Sequence, residues 1–318
     1  MTTNNPSRRE RILGGLWGSL VGDALGVPVE FLSREDVRLN PITGMRGNGT
    51  HLQPPGTWSD DGALVLCTVE SLLSAEFDTN DMGRRFVSWM KEARWTATGV
   101  VFDMGNTTAD ALMRIANGIP AEQAGNSDEF SNGNGSLMRI IPAVLRFAAG
   151  PIETLVSRIE RISGITHSHA RSKMACVFYG LVVRQLLTGC NPETALLSAR
   201  KDFRTIYNDP SEISHFSHCL TDDFSSISED HIMSTGYVLH TLHASLWCLL
   251  STNSFEECVL KAVNLGGDTD TTGCVTGGLA GVWYGIQKIP EHWRSSLARH
   301  GDVDCLFLEF ADFFDSNK

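Results

Sequence analysis

Apolar and polar residues recur along this chain with the period of an α-helix nearly throughout. Residues 63–75 (A-L-V-L-C-T-V-E-S-L-L-S-A), 152–165 and 170–187 each place apolar side chains at helical spacing. The start signals agree. Pro151, Pro192 and Pro290 stand near the first turn of a periodic run, and Ser254 with Glu257 forms a capping box for a helix reaching Leu265. No run of alternating β-branched residues predicts a strand. The pattern predicts an all-α fold, a single compact domain of about a dozen helices over residues 8–314, behind a flexible tail at 1–7.

Glycine modifies that picture. Gly14, Gly15, Gly18 and Gly22 fall inside the first apolar run, and Gly277, Gly278, Gly281 and Gly285 inside G-G-L-A-G-V-W-Y-G. Each costs helix propensity, so close backbone approach to a neighbouring helix or ligand is expected to compensate. Residues 202–231 are polar and punctuated by Asn208 and Pro210, which predicts a surface excursion rather than a domain boundary.

Composition narrows the partners. The 318 residues carry 26 basic against 37 acidic side chains, a net charge of −11. No dense basic run offsets this, so neither a nucleic-acid backbone nor an anionic membrane is expected as a partner. The run I-L-G-G-L-W-G-S-L-V-G-D-A-L-G reads as too short for a membrane span, carries Asp23, and lacks the cleavage site of a signal peptide. Eight cysteines, among them Cys67, Cys176, Cys248 and Cys274, lie mostly in apolar stretches without a C-x-x-C pair. Buried thiols in a reducing cytoplasm are expected.

Four short polar stretches precede apolar helices: W-S-D-D-G (58–62), D-M-G-N-T-T (103–108), S-N-G-N-G-S (131–136) and G-G-D-T-D-T-T-G (266–273). Ordinary N-capping accounts for Ser, Thr or Asp at each. It needs one residue per helix, however, and Asp60 with Asp61, like Asp268 with Asp270, is more acid than a cap uses. Converging, the two pairs would repel one another unless a cation intervened. Carboxylates and hydroxyls without histidine suit magnesium or manganese. An EF-hand is excluded, because position twelve from Asp268 is Leu279. S-N-G-N-G-S lacks the dinucleotide fingerprint, yet small residues entering a helix at Leu137 can turn N–H groups toward a phosphate. His167 and His169 stand at the mouth of a long helix, where capping and ligand contact are both open. His240 with His243, and His215 with His218, repeat at one-turn spacing, but no third ligand completes a usual zinc set.

In their order, these motifs resemble the ADP-ribosylglycohydrolase family, which includes the dinitrogenase-reductase-activating glycohydrolases. The likeness runs from about Gly14 to Trp293 and rests on G-S-L-V-G-D-A-L-G-V-P-V-E-F, G-T-W-S-D-D-G, D-M-G-N-T-T, N-G-N-G-S-L-M-R, T-H-S-H, G-Y-V-L-H-T-L and N-L-G-G-D-T-D-T-T-G. The resemblance implies an all-α bundle with two divalent cations, Mg²⁺ or Mn²⁺, at its centre. It implies Ser59, Asp60, Asp61, Asp268, Asp270 and Thr271 as metal ligands. Glu30 would sit at the metal site and govern substrate access, acting with Asp60 and Asp61 in catalysis. Gly133, Asn134, Gly135 and Ser136 would cradle the diphosphate of ADP-ribose, His167 would touch its nucleotide side, and Asp103 would meet the leaving group. One departure stands out: the family usually reads T-D-D-T, and here Gly62 removes the second hydroxyl.

The implied activity is metal-dependent release of ADP-ribose from a modified side chain of a protein by a cytoplasmic monomer. ADP-ribosylarginine comes first; ADP-ribosylserine, O-acetyl-ADP-ribose and a modified nucleobase are alternatives. Two other classes stay open, a non-catalytic ADP-ribose or nucleotide binder, to which Gly62 points, and a structural helical protein whose acids only cap helices.

Overall fold

Side chains start many of the helices, as the local signals predict. In the computed structural model, which describes residues 5–220 and 226–315, Ser7 and Glu10 form a reciprocal capping box at the head of α1 (Arg8–Gly26). Then follow α2 (Arg34–Leu39), α3 (Asp60–Leu72), α4 (Thr79–Glu92), α5 (Asn106–Ala116), α6 (Ile141–Phe147), α7 (Ile152–Gly164) and α8 (Ala170–Leu187). The second half holds α9 (Pro192–Ile206), α10 (Pro210–His215), α11 (Ser217–Leu220), α12 (Val238–Leu250) and α13 (Phe255–Val263). It ends with α14 (Thr269–Tyr284), α15 (Glu291–Ser295) and α16 (His300–Asp315). The fold is all-α: among the described residues no strand forms, only isolated bridges such as Asn126 with His167 and Gly133 with Tyr237.

One helix pair frames everything else. α1 and α14 run antiparallel through the core, and their glycines face one another at four-residue intervals. A Cβ on Gly14 would lie 2.1 Å from the Gly281 carbonyl oxygen, one on Gly18 2.1 Å from that of Gly277, and one on Gly22 2.0 Å from that of Gly273. The backbones therefore touch where any other residue would hold them apart. Next along this row a Cβ on Gly26 would come within 2.4 Å of the Asp270 backbone. The expected close approach is thus this one seam, and its lower end delivers Asp270.

Three expectations change. Residues 202–206 complete α9, and 210–220 form two short helices rather than open loop, while residues 221–225 of that excursion lie outside the described residues. S-N-G-N-G-S leads into turns, and the helix begins at Ile141 instead of Leu137. The first apolar segment, Arg8–Val29, is 22 residues, long and apolar enough to cross a membrane by length and composition. It is wholly buried among the other helices, which is what its apolarity serves. Of the tail, residues 1–4 lie outside the described residues, whereas Asn5 accepts a hydrogen bond from the Arg11 guanidinium and Ser7 caps α1.

Candidate functional site

The S-D-D-G stretch opens α3 in the core. Ser59 is its N-cap and accepts the Asp61 N–H at 3.3 Å, so capping needs neither aspartate. A residue that the sequence reading passed over holds this turn in place. Asp23 of α1, fully buried, accepts the Ser59 N–H at 3.0 Å and the Gly62 N–H at 2.7 Å. Burial pushes its carboxyl up to about 7, against the pull of those N–H bonds. The signal was available, since Asp23 is the one acid inside a long apolar run.

The second acidic stretch opens α14. Asp268 is the N-cap by position, but its side chain makes no capping bond; Oδ2 instead accepts Asn134 Nδ2 at 2.8 Å. Asp270 Oδ1 accepts the Thr271 N–H at 2.9 Å, and Thr271 Oγ1 donates to Asp61 Oδ1 at 3.3 Å. That last bond joins the two stretches across 210 residues. Three carboxylate oxygens here, Asp61 Oδ2, Asp268 Oδ1 and Asp270 Oδ2, are buried without a hydrogen-bond partner. Orphaned acceptors of this kind are costly unless a cation meets them.

Electrostatics point the same way. Burial first, then neighbouring acids, pushes Asp60, Asp61 and Asp270 well above the usual carboxylate range, and burial raises Asp268. Without positive charge the cluster must hold protons. Donor oxygens of Glu30, Asp268 and Asp270 lie within 4.8 Å of one another, a spacing that one small ion can span. An all-oxygen donor set with orphaned lone pairs fits Mg²⁺ or Mn²⁺.

Above these acids lies a cavity of about 370 Å³. Asp60, Asp61, Asp268 and Thr271 line its floor, while Ser59 and Asp270 stand behind that surface. Glu30, Phe31 and Asp103 form one wall. Burial, then Asp103, raises Glu30 to about 10, and His51 Nε2 meets its carboxyl at 2.5 Å. Burial also lowers His51. His51 is a second residue the sequence reading missed, and no motif marks it. Asp103 sits at φ 59, an uncommon backbone region for a residue with a side chain, and burial followed by Asp268 raises its carboxyl to about 6.

The glycine loop also lines the cavity. Gly133, Asn134 and Gly135 line the cavity with His167. A Cβ on Gly135 would lie 2.9 Å from His167 Cε1, so only glycine lets the loop close on that ring. Burial, then Arg139, lowers His167 to about 3, leaving a neutral imidazole whose Nδ1 pairs with Thr166 Oγ1 at 2.8 Å. The Asn134 N–H is already given to Gly236 O at 3.0 Å. Ser136 turns inward to Ser163 and Cys176, away from the cavity.

Gly62 faces neither the cavity nor the acids of its floor. A Cβ there would meet Trp58 Cβ at 2.7 Å and Asp23 Oδ2 at 2.9 Å. The missing hydroxyl would thus have stood over Asp23, and the pointer to an inactive site falls away. Gly62→Thr is expected to lower stability by about 1–3 kcal/mol through overpacking and to leave turnover within a few-fold. Denaturant melts and a release assay check this; a threonine variant more active than the parent would show that position 62 does serve the cavity.

Comparison with known proteins agrees with this geometry. The ADP-ribosylglycohydrolase family model matches residues 4–317. The chain is 30% identical over 301 residues to ADP-ribosylarginine hydrolase Tri1 of Serratia proteamaculans, covering 93% of this chain and 78% of that protein. It is also 30% identical to the ADP-ribosyl-[dinitrogen reductase] glycohydrolase of Rhodospirillum rubrum, over 92% of each. Among solved structures, an ADP-ribosylglycohydrolase-related protein superposes with a TM-score of 0.81 at 35% identity, over 96% of this chain and 99% of that one. An all-α cavity floored by two converging acidic helix starts, with a family match across nearly every residue, makes this chain an enzyme of the ADP-ribosylglycohydrolase family.

Proposed function

We propose that this enzyme hydrolyses the N-glycosidic bond between the distal ribose of ADP-ribose and an arginine side chain, with two divalent cations held by the acidic floor. Asp103 carries the choice of arginine. It lines the same cavity as the glycine loop, and burial raises its carboxyl only to about 6. A carboxylate so placed can take a guanidinium through two parallel N–H bonds. Two relatives at 30% identity, from Serratia proteamaculans and Pseudomonas putida, bear the name ADP-ribosylarginine hydrolase.

Ser59, Asp60, Asp61, Asp268, Asp270 and Thr271 would hold the cations, on the orphaned oxygens described above. When bound, the cations supply positive charge that clamps ribose hydroxyls and acidifies a water. Asp60 or Asp61 would orient the attacking water toward the anomeric carbon, help of a type worth ~10²–10⁴-fold. Gly133 and Gly135 let the backbone approach the diphosphate, and neutral His167 offers a polar edge without adding charge. Glu30, tied to His51, closes the wall beside Asp103. Eight unpaired thiols suit a reducing compartment, and we place the enzyme in the cytoplasm.

The test is a release assay on peptides ADP-ribosylated at arginine, serine or an acidic side chain, with Mg²⁺, Mn²⁺ or chelator. Arginine-linked ADP-ribose should be released at least tenfold faster than the others, and only with a divalent ion. Asp103→Asn should lower that release by about ten- to a hundredfold, from the ~1.5–3 kcal/mol of a charged hydrogen bond. Preferred release from serine, or full activity in chelator, would overturn the corresponding half of the proposal.

A further inference from the structure

We propose that a second pocket, lined by His215, His218, His231, His240, His243 and Cys219, is a zinc-class metal site separate from the acidic cavity.

Ten histidines occur in the chain, and five of them line this one pocket of about 120 Å³. They arrive on three separate pieces of chain: the short helices α10 and α11, the segment before α12, and α12 itself. The two pairs noted in the sequence, His215 with His218 and His240 with His243, thus supply one another's missing ligands. Cys219 and Met233 add sulfur to the lining. Imidazole and thiolate are the donors zinc prefers, and among the described residues no carboxylate suited to magnesium lines the pocket.

One ring spacing is compatible with a shared ion. The His218 and His243 ring centroids stand 5.4 Å apart. Two imidazoles on one tetrahedral zinc, each with Zn–N about 2.0–2.1 Å, hold their centroids roughly 5.3 Å apart. His240 is oriented through one nitrogen, Nδ1, at 2.7 Å from Thr235 Oγ1, the arrangement that fixes a ligating ring through its far side. Burial is the first cause lowering both His240 and His243, the latter to about 4, with His218 adding to each. Burial thus favours the neutral form of these two rings, the state a metal requires. Among the described residues no three of these donor atoms yet lie within 4.8 Å of one another. Closure needs side-chain rotation by the exposed His215 and His231, while His218 and His243 keep their spacing.

A third cluster shows the contrast. Donor atoms of Glu129, His169 and Glu212 do converge, but the Arg171 guanidinium pairs with both glutamates at 2.7 and 3.0 Å and supplies the positive charge itself. Among the described residues no such cation lines the histidine pocket.

Zinc affinity, measured on the full chain by competition with a chromophoric chelator in excess Mg²⁺, tests the site. One equivalent should bind, and His218→Ala should weaken it at least ~tenfold, since even outer-shell partners of a metal are worth 10–100-fold. His218 is exposed, so its variant keeps the fold, and His243→Gln provides a second reading from inside the pocket. Asp270→Asn should leave zinc affinity unchanged, and Mg²⁺-dependent release should be the same in His218→Ala as in the parent. Absence of tight zinc binding overturns the proposal. So does zinc binding that Asp270→Asn removes and His218→Ala spares, because the ion would then belong to the acidic cavity.

Discussion

Asp270→Asn is expected to lower ADP-ribose release by at least about 10³-fold, the several kcal/mol that metal charge contributes at a reacting centre, while raising the thermal stability of the chelated protein. The two effects come from the same environment. Asp270 is fully buried, one of its oxygens has no partner, and burial with Glu30, Asp61, Asp268 and Asp103 drives its carboxyl far above the usual range. Asparagine keeps the shape and needs no proton, so the metal-free fold is spared the cost of protonating a buried acid. It also removes a donor, so the gain on adding a divalent ion is lost. An ion at a hundred times its Kd stabilises the parent by about 2.7 kcal/mol, a melting shift of a few °C for a chain this long. Melting curves with EDTA or Mg²⁺, set beside a release assay, read both effects. A variant that still turns over and still gains stability from Mg²⁺ would remove Asp270 from the metal centre.

Gly22→Ala should be the most damaging conservative change outside the acids, costing about 3 kcal/mol or more by overpacking. Alanine improves helix propensity by ~0.8–1 kcal/mol, so the sign depends on the seam. There the new Cβ would lie 2.0 Å from Gly273 O and 2.4 Å from Gly273 C, both backbone atoms that no rotamer can move. Relief requires α14 to shift by roughly 1 Å, since carbon and oxygen pack at about 3 Å or more. That shift would strain the neighbouring Gly18–Gly277 contact and carry Asp270, less than one turn from Gly273, out of register with Asp61. Stability and divalent affinity should therefore fall together. Gly301→Ala, with nothing within 4 Å of its new methyl, is the control and should be neutral or mildly stabilising. If Gly22→Ala melts like Gly301→Ala, the seam does not govern the fold.

The sequence by itself determined the class of the fold, because helical periodicity, caps and prolines act within a few residues of one another. The run 170–187 is α8 to the residue, and Ser254 caps α13 by accepting the Glu257 N–H. It also held the surplus of acid at 60, 61, 268 and 270, more than capping uses. The polar stretch 202–220 misled, since Asp209 and Pro210 start a short helix as readily as they mark a loop.

Only the tertiary structure decided which distant groups meet. Asp23 braces the turn at Ser59 and Gly62, His51 pairs with Glu30, and Thr271 reaches Asp61; each contact spans at least 21 residues and leaves no periodic trace. Position 62 shows the difference most clearly. In sequence its glycine stands among catalytic candidates, and only the packing of α1 against α3 turns it toward Trp58 and Asp23 instead. Local pattern fixes which face of a helix is apolar, whereas long-range packing fixes what that face meets. The chemistry of this enzyme lies in what two helix starts meet across the glycine seam.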